Sequence, residues 1–505
     1  MNVMMLLEMA AGGFGDRIAV GTRTGANLTY QQLFDRAGAA AAQFADADVA
    51  NVALVDISSP ALPVALFGAA WAGKPFVPLN YRLTAEELGA LSEAVSPSIT
   101  ICNDDTAELL GNVDGVHKVH RHEFLSTAHS DAPADPAWAM DPDEIAILLY
   151  TSGTTGAPKA AVLRHKHLVS YILGSVEFMG ASEDEATLVS VPPYHVAGMA
   201  AICSSVYAGR RIVQLPNFDA DAWIDLALDE GITHAMVVPT MLARIVERLD
   251  ERDIDGLPAL RALSYGGGKM PRPVIERALA LLPQTAFVNA YGLTETSSTI
   301  AVLGPDDHRS AMASDDPAVR ARLGSAGQPL PTLEVSIRDE DGQEVAVGDS
   351  GEIWVRGEQV SGEYLGRDSR VTADGWFPTN DGGSVDEAGY LFVEGRIDDI
   401  IIRGGENISP GEIEDVLLMH DAIRDAAAVG VPDTQWGEVI AVAVVTSAGT
   451  NPTPDDVKAF VRERMRSSRT PDHVVVVDEL PYNETGKLLR RLLREQLAHL
   501  GTTES

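Results

Sequence analysis

The chain has 505 residues, of which 45% are hydrophobic and 22% charged, an ordinary globular composition that excludes a disordered or collagen-like polypeptide. At ~100–200 residues per domain the length implies two to four domains and room for a large core. With 38 basic against 73 acidic residues the net charge is −35, so the surface repels a phosphate backbone and nucleic acid is not an expected partner.

Two cysteines, Cys102 and Cys203, make neither a disulfide framework nor a four-ligand zinc site, and read as small buried hydrophobes of a reducing compartment. The N-terminus carries Glu8 within its apolar run and no basic flank, which makes a poor signal peptide. No run of ~18–20 apolar residues is present for a membrane span. A cytoplasmic location is expected.

From about residue 31 to residue 303, Ala-rich helical stretches (residues 28–46 and 61–72) alternate with short β-branched runs (51–57, 98–102, 145–150, 211–215 and 232–238). Thr84 and Glu87 form a capping box that opens a helix over 85–95. This alternation predicts βαβ units around parallel sheet. Residues 133–142 read as a loop. From 333 to 395 the texture changes to strand-like runs with Gly and Asp turns, LEVSIRD, GEIWVRG and GYLFVEG, a β-rich subdomain placed at about 331–395. After the charged link GRIDD comes a small α+β unit. It has a helix opened by Pro410, strands at 426–431 and 438–445, a helix over 454–466 and a last helix from Lys487. The predicted fold class is α/β: a large N-terminal domain (1–397) and a small C-terminal domain (398–505).

The strand over 145–150 runs directly into TSGTTGAPK. Gly153 and Gly156 free the backbone to curl its N–H groups around one anion. Thr151, Ser152, Thr154 and Thr155 supply hydroxyl donors, and Lys159 supplies charge. The Walker pattern is absent throughout the chain. Only seven lysines occur, so a lysine at the end of such a loop is informative.

This segment resembles the signature of the adenylate-forming superfamily of acyl-CoA synthetases, luciferases and peptide-synthetase adenylation domains. The resemblance covers nearly the whole chain, and the order of motifs makes it specific. FGAAWAGKPFVPLNYRLTAEEL (67–88) lies upstream; downstream follow PPYHVAG (192–198), SYGGGKMP (264–271), NAYGLTETS (289–297), GEIWVRG (351–357), WFPTND (376–381), GRIDDIIIRGGENISPGEIE (395–414) and NETGK (483–487). The family's fold has a large N-terminal domain and a small mobile C-terminal one. Its reaction has two halves: a carboxylate attacks the α-phosphorus of ATP to give an acyl-adenylate and pyrophosphate, and a thiol, here expected to be coenzyme A, then displaces AMP.

By that resemblance Thr151, Ser152, Gly153, Thr154, Thr155 and Lys159 hold phosphates, Glu295 holds Mg²⁺, and Thr294 bonds the α-phosphate. Tyr291 stacks adenine beside Gly267 and Gly268, within the segment Asn289, Ala290, Tyr291 and Gly292. Asp381 takes the ribose hydroxyls, with Arg396 facing ribose or phosphate. Lys487, by itself an unremarked helix start, becomes the lysine that bridges carboxylate and α-phosphate. His195 stands at the mouth of an acyl pocket walled by Val196, Gly198, Val238, Gly266 and Gly267. Gly404 and Gly405 border the thiol's path, and Asp398 is the hinge.

PPYHVAG offers no carboxylate to pair an α-ammonium, so an amino-acid substrate is disfavoured. The expected activity is an AMP-forming acyl-CoA synthetase on a medium- or long-chain fatty acid. An aryl or alicyclic acid is the alternative, and so is an acyl-AMP ligase loading a carrier protein, which the chain length argues against. A non-catalytic nucleotide binder would be expected to lose Lys159, Glu295, Asp381 or Lys487, and all four are present. The resemblance is compatible with a homodimer and with peripheral membrane contact. Three departures stand out: Ala160 where glycine is usual, Asn380 where glycine is usual, and Lys269 where a small or apolar residue is usual, its role left open.

Overall fold

Runs such as Ser98–Cys102, buried at every residue, demand cover on both faces, which a parallel sheet between helices supplies. The computed structural model describes residues 1–128, 137–151, 158–447, 449–483 and 488–501. Two such sheets build the large domain.

One sheet has six strands in the order Val116–His120, Ser98–Cys102, Asn51–Val55, Phe76–Pro78, Ile145–Thr151, Lys159–Arg164; only the last pair is antiparallel. The other has nine, with six parallel strands at its centre: Ala286–Leu293, Ala262–Gly266, His234–Val237, Ala186–Val189, Arg211–Gln214 and Ile18–Gly21. Between the sheets lies a shared helical layer. Its helix Ala61–Trp71 is apolar all round and buried at all 11 residues, as a helix with no solvent face must be.

The expected capping box is present: Thr84 Oγ1 accepts from Glu87 N at 3.3 Å, and Glu87 Oε2 accepts from Thr84 N at 3.0 Å. The stretch read as helical from residue 28 begins instead as the strand Asn27–Thr29; Thr29 then caps the helix Tyr30–Asp46 with a capping box of its own. The apolar N-terminus forms a helix, Met4–Phe14, that buries Met4, Leu6 and Leu7 in the core. Among the described residues no helix is long and apolar enough to cross a membrane.

Four antiparallel strands, Glu334–Arg338, Gly351–Arg356, Phe377–Val385 and Leu391–Arg396, make the β-rich unit. The small domain folds around the long hairpin Ile423–Asp433 and Gly437–Thr446, longer at both ends than its apolar runs indicate because pairing continues past them. Its last helix is Arg490–Leu497, three residues later than expected.

Cys102 and Cys203 are free and buried, and burial pushes their thiols up to about 11 and about 12. His165 and His167 are buried too. Each accepts a backbone N–H at Nδ1, from Val3 and Arg164 respectively, both at 3.2 Å, an arrangement that needs the neutral ring. Burial, with the N-terminal ammonium near His165 and Lys166 near His167, lowers both to about 4. The unfolded chain therefore binds more protons than the native one between about 6.5 and 4. Thermal stability is expected to fall as pH drops through that window. His167→Asn, whose side-chain oxygen accepts without titrating, is expected to flatten the fall; calorimetric midpoints from pH 7 to pH 4 measure both.

Candidate active site

Four adjacent parallel strands of the nine-stranded sheet end on the same side, and ligands in open α/β sheets bind at such carboxyl ends. After Ala186–Val189 comes His195; after His234–Val237, Val238; Ala262–Gly266 leads to Gly267 and Gly268; and Asn289, Ala290, Tyr291 and Gly292 lie in Ala286–Leu293. Sites dispersed over about a hundred residues of sequence thus become neighbours.

Gly267 has φ +82°, a left-handed backbone that glycine adopts without strain, and a side chain there would point 3.6 Å from Val238 Cγ1. Gly266 is different: a Cβ would stand 2.2 Å from the Ala290 carbonyl, so its bareness serves strand pairing. Gly198 likewise lets the helix Val196–Ala208 start against the Pro192 carbonyl, 2.9 Å from where a Cβ would be. His195 caps that helix, its Nδ1 accepting from Ala197 N at 3.2 Å; in the neutral ring the proton is then on Nε2. Val196 is buried beside it.

Asp381 and Arg396 face each other across two strands of the β-rich unit. Arg396 Nη1 donates to Asp381 Oδ1 at 3.2 Å, and Tyr291 Oη donates to Oδ2 at 2.7 Å. Burial and the Asp381 carboxylate raise the Tyr291 phenol well above its ordinary value, so it stays a donor. The Nε of Arg396 is buried with no partner among the described residues, a donor that a phosphate or ribose oxygen would satisfy. Asp381 and Glu295 both favour the charged guanidinium against its burial.

Glu295 sits on the 3₁₀ turn Thr294–Thr296. Its backbone carbonyl accepts from Ser361 N at 2.8 Å and Gly362 N at 3.3 Å, and Tyr364 Oη donates to its Oε1. The segment 361–365 is laid along the strand Lys159–Arg164: Val162 N donates to Glu363 O at 3.0 Å, Leu365 N to Ala160 O at 2.9 Å, and Arg164 pairs Glu363 at 2.7 Å. Tyr364 is thereby held between the two halves of the site, with Lys159 Nζ 5.8 Å from its ring centroid. Sequence reading did not single out Tyr364, and no local pattern marks it. Removing its hydroxyl in Tyr364→Phe is expected to cost roughly ten- to a hundredfold in the ATP-dependent half-reaction, since a hydrogen bond to a charged group contributes ~1.5–3 kcal/mol; single-turnover kinetics at saturating Mg²⁺ check it.

Thr151 ends the strand before the phosphate loop, its Oγ1 donating to Lys159 O at 3.4 Å. Ser152, Gly153, Thr154, Thr155 and Lys487 lie outside the described residues. Flanking Lys487, Tyr482 and Leu488 form an antiparallel bridge. Arg490 pairs Glu414 at 2.5 Å and Asp399 at 3.7 Å, tying that end of the chain to the interdomain link.

Two of the three departures, Asn380 and Lys269, acquire reasons. Asn380 has φ +63°, which asparagine tolerates better than other residues with a side chain. Its Nδ2 donates to Asp398 Oδ2 at 2.8 Å. Lys269 reaches the small domain, pairing Asp415 at 2.6 Å and donating to Gly411 O at 3.2 Å. Gly404 and Gly405, at φ +59° and +82°, turn the hairpin between Ile401–Arg403 and Glu406–Ile408. Gly404 N donates to Trp436 O at 2.7 Å, while a Cβ on Gly405 would meet nothing within 4 Å.

A family model described as AMP-binding enzyme matches residues 7–365, and one for the AMP-binding enzyme C-terminal domain matches 412–487. A fatty acid–[acyl-carrier-protein] ligase, ScoC of Streptomyces coeruleorubidus, is 32% identical over 94% of this chain and 92% of that protein. Feruloyl-CoA synthase of an Amycolatopsis species is 33% identical over 94% of each chain. The solved structure of o-succinylbenzoate CoA synthetase from Bacillus subtilis, in complex with the acyl-adenylate intermediate, matches with a TM-score of 0.82 at 29% identity over 97% of each chain.

Proposed function

Because the chain belongs to the AMP-binding enzyme family, as an adenylate-forming enzyme of the acyl-CoA synthetase type, we propose that it condenses a carboxylic acid with ATP and passes the acyl group to a thiol. The observation that carries this reading is the cluster Tyr291–Asp381–Arg396, with a buried Arg396 Nε that has no partner among the described residues, set beside the Glu295–Tyr364–Lys159 series. The first group suits a nucleoside: a flat ring, a carboxylate that accepts hydrogen bonds, and a donor for an oxygen. The second suits the phosphates.

In the adenylation half the acid's carboxylate forms a bond to the α-phosphorus as the bond to pyrophosphate breaks. Two anions must meet, so Lys159, Arg396 and Lys487 supply positive charge where charge crowds. Glu295 would hold Mg²⁺ through its carboxylate, and the ion would supply charge neutralisation there. In the second half the thiol's sulfur bonds the acyl carbon, AMP leaves, and the thiol proton passes to solvent. Coenzyme A is the proposed thiol.

The acid proposed has an apolar body, seated beyond His195 against Val196, Val238 and Gly267. A medium- or long-chain fatty acid remains the leading choice. The aryl acid reading is favoured by the feruloyl-CoA synthase likeness. Chain length does not separate carrier loading from CoA ligation, since a carrier-protein ligase matches this chain nearly end to end. The buried free cysteines fit a cytoplasmic setting. The test is AMP release over a panel of C8–C16 fatty acids and hydroxycinnamic and benzoic acids, with CoA and, separately, a phosphopantetheinylated carrier protein as acceptor. AMP formed with one acid class and one acceptor supports the reading; no acid-dependent pyrophosphate or AMP release would overturn it.

A further inference from the structure

The strand Val116–His120 is the outer edge of the six-stranded sheet, at the opposite end from the Ile145–Thr151 and Lys159–Arg164 hairpin. It continues as H-R-H, and the fold sets His120 and His122 beside Asp104, so that one ligand atom of each lies within 4.8 Å of the other two. Asp104 Oδ1 and His120 Nδ1 are 2.8 Å apart, and the two imidazole centroids are 5.8 Å apart. We propose that Asp104, His120 and His122 form a binding site for a divalent transition-metal ion of the zinc, nickel or copper class, separate from the nucleotide site.

What distinguishes this trio from a chance surface cluster lies beneath it. Asp56 is fully buried; its Oδ1 accepts from Asn103 Nδ2 at 3.0 Å and from Arg121 Nη1 at 3.0 Å, and its Oδ2 from Arg121 Nη1 at 3.1 Å. Asn103 directly precedes Asp104 and caps its helix, accepting from Thr106 N at 2.8 Å; Arg121 stands between the two histidines. One buried carboxylate therefore ties together the two segments that carry the ligands, through the chain neighbours of those ligands rather than through the ligand atoms.

The donor set selects the ion. Two imidazoles and one carboxylate suit zinc, nickel and copper, whereas magnesium and calcium demand oxygens. Three protein ligands leave a position for water. Metal bonds of ~2.0–2.2 Å in a tetrahedral site put ligand atoms ~3.3 Å apart, so Asp104 and His120 separate slightly and His122 swings in. All three side chains lie at least partly at the surface. The chain's strongly negative charge raises the local cation concentration.

The test uses the tag-free full chain, stripped with EDTA and without nucleotide, titrated with Zn²⁺ by calorimetry and with Co²⁺ by visible absorption. One site per chain is expected, with d–d bands lost in His122→Ala and affinity reduced at least tenfold in His122→Ala and Asp104→Asn. Asn103→Ser keeps a helix cap but loses the reach to Asp56, and is expected to weaken zinc ~10-fold with all three ligands intact. His122→Ala is expected to leave AMP release with Mg²⁺ unchanged. Equal zinc affinity in wild type and His122→Ala, or cobalt spectra indifferent to it, would overturn the proposal, whatever the outcome of the AMP-release assay.

Discussion

Glu295→Ala is expected to reduce magnesium-dependent pyrophosphate exchange at least ~10²-fold, the scale on which removal of a transition-state electrostatic group is felt. The fold is expected to survive the change. What Glu295 contributes to the architecture is its backbone carbonyl, bonded to Ser361 N and Gly362 N, and a substitution leaves that in place. Its carboxylate meets the Tyr364 hydroxyl on a partly exposed turn, so the loss strands no fully buried charge. Arg396 keeps its bond to Asp381. Far-UV circular dichroism and the thermal midpoint are expected to match wild type. Retention of a tenth of the exchange rate at saturating Mg²⁺ would end the assignment of Glu295.

Lys487→Ala is expected to abolish adenylate formation yet convert a supplied acyl-adenylate to thioester at near wild-type rate. The asymmetry follows if the small domain presents different faces to the site in the two halves, with the turn Ile397–Asp399 as pivot. Contacts on this link show what a rotation would break. Asn380 holds Asp398, Ser409 Oγ donates to Glu394 O at 2.7 Å, and Lys269 pairs Asp415. Lys269→Met is expected to change the ratio of the two half-reaction rates rather than both alike. Asp398→Pro, whose ring fixes φ, is expected to impair whichever half needs the other pose. Gly405→Leu is a poor probe of the thiol's path, because φ +82° strains any side chain there. The two half-reactions are measured separately, by pyrophosphate exchange and by thioester formation from synthetic acyl-adenylate. Equal losses in both for Lys487→Ala would rule out alternation.

The residues legible in the sequence are those whose neighbours along the chain announce them. Asp381 in WFPTND and Glu295 in YGLTETS lie in short motifs, and the texture change after residue 333 marks the β-rich unit that supplies Asp381 and Arg396. What stayed hidden depends on pairs far apart in sequence. Tyr364 meets Glu295 across 69 positions and Lys269 meets Asp415 across 146, so no window of periodicity contains either pair. Asn380 looked like a plain replacement for glycine; its left-handed backbone and its bond to Asp398 need the folded chain to be seen. Gly266 and Gly198 read in sequence as pocket walls; the folded chain adds that their missing side chains make way for backbone carbonyls.

The segment laid along Lys159–Arg164 also bears on where this chain can be cut. That strand is the last of its sheet, with Ala160, Ala161, Val162 and Leu163 all buried, and residues 361–365 are what cover its open side. A fragment ending before residue 361 would keep both large sheets yet bare a flat apolar edge with unpaired N–H and C=O groups, a template for strand addition by another copy. Such a fragment is expected to aggregate, and any split-protein or domain-exchange design on this scaffold has to carry residues 361–365 with the first piece.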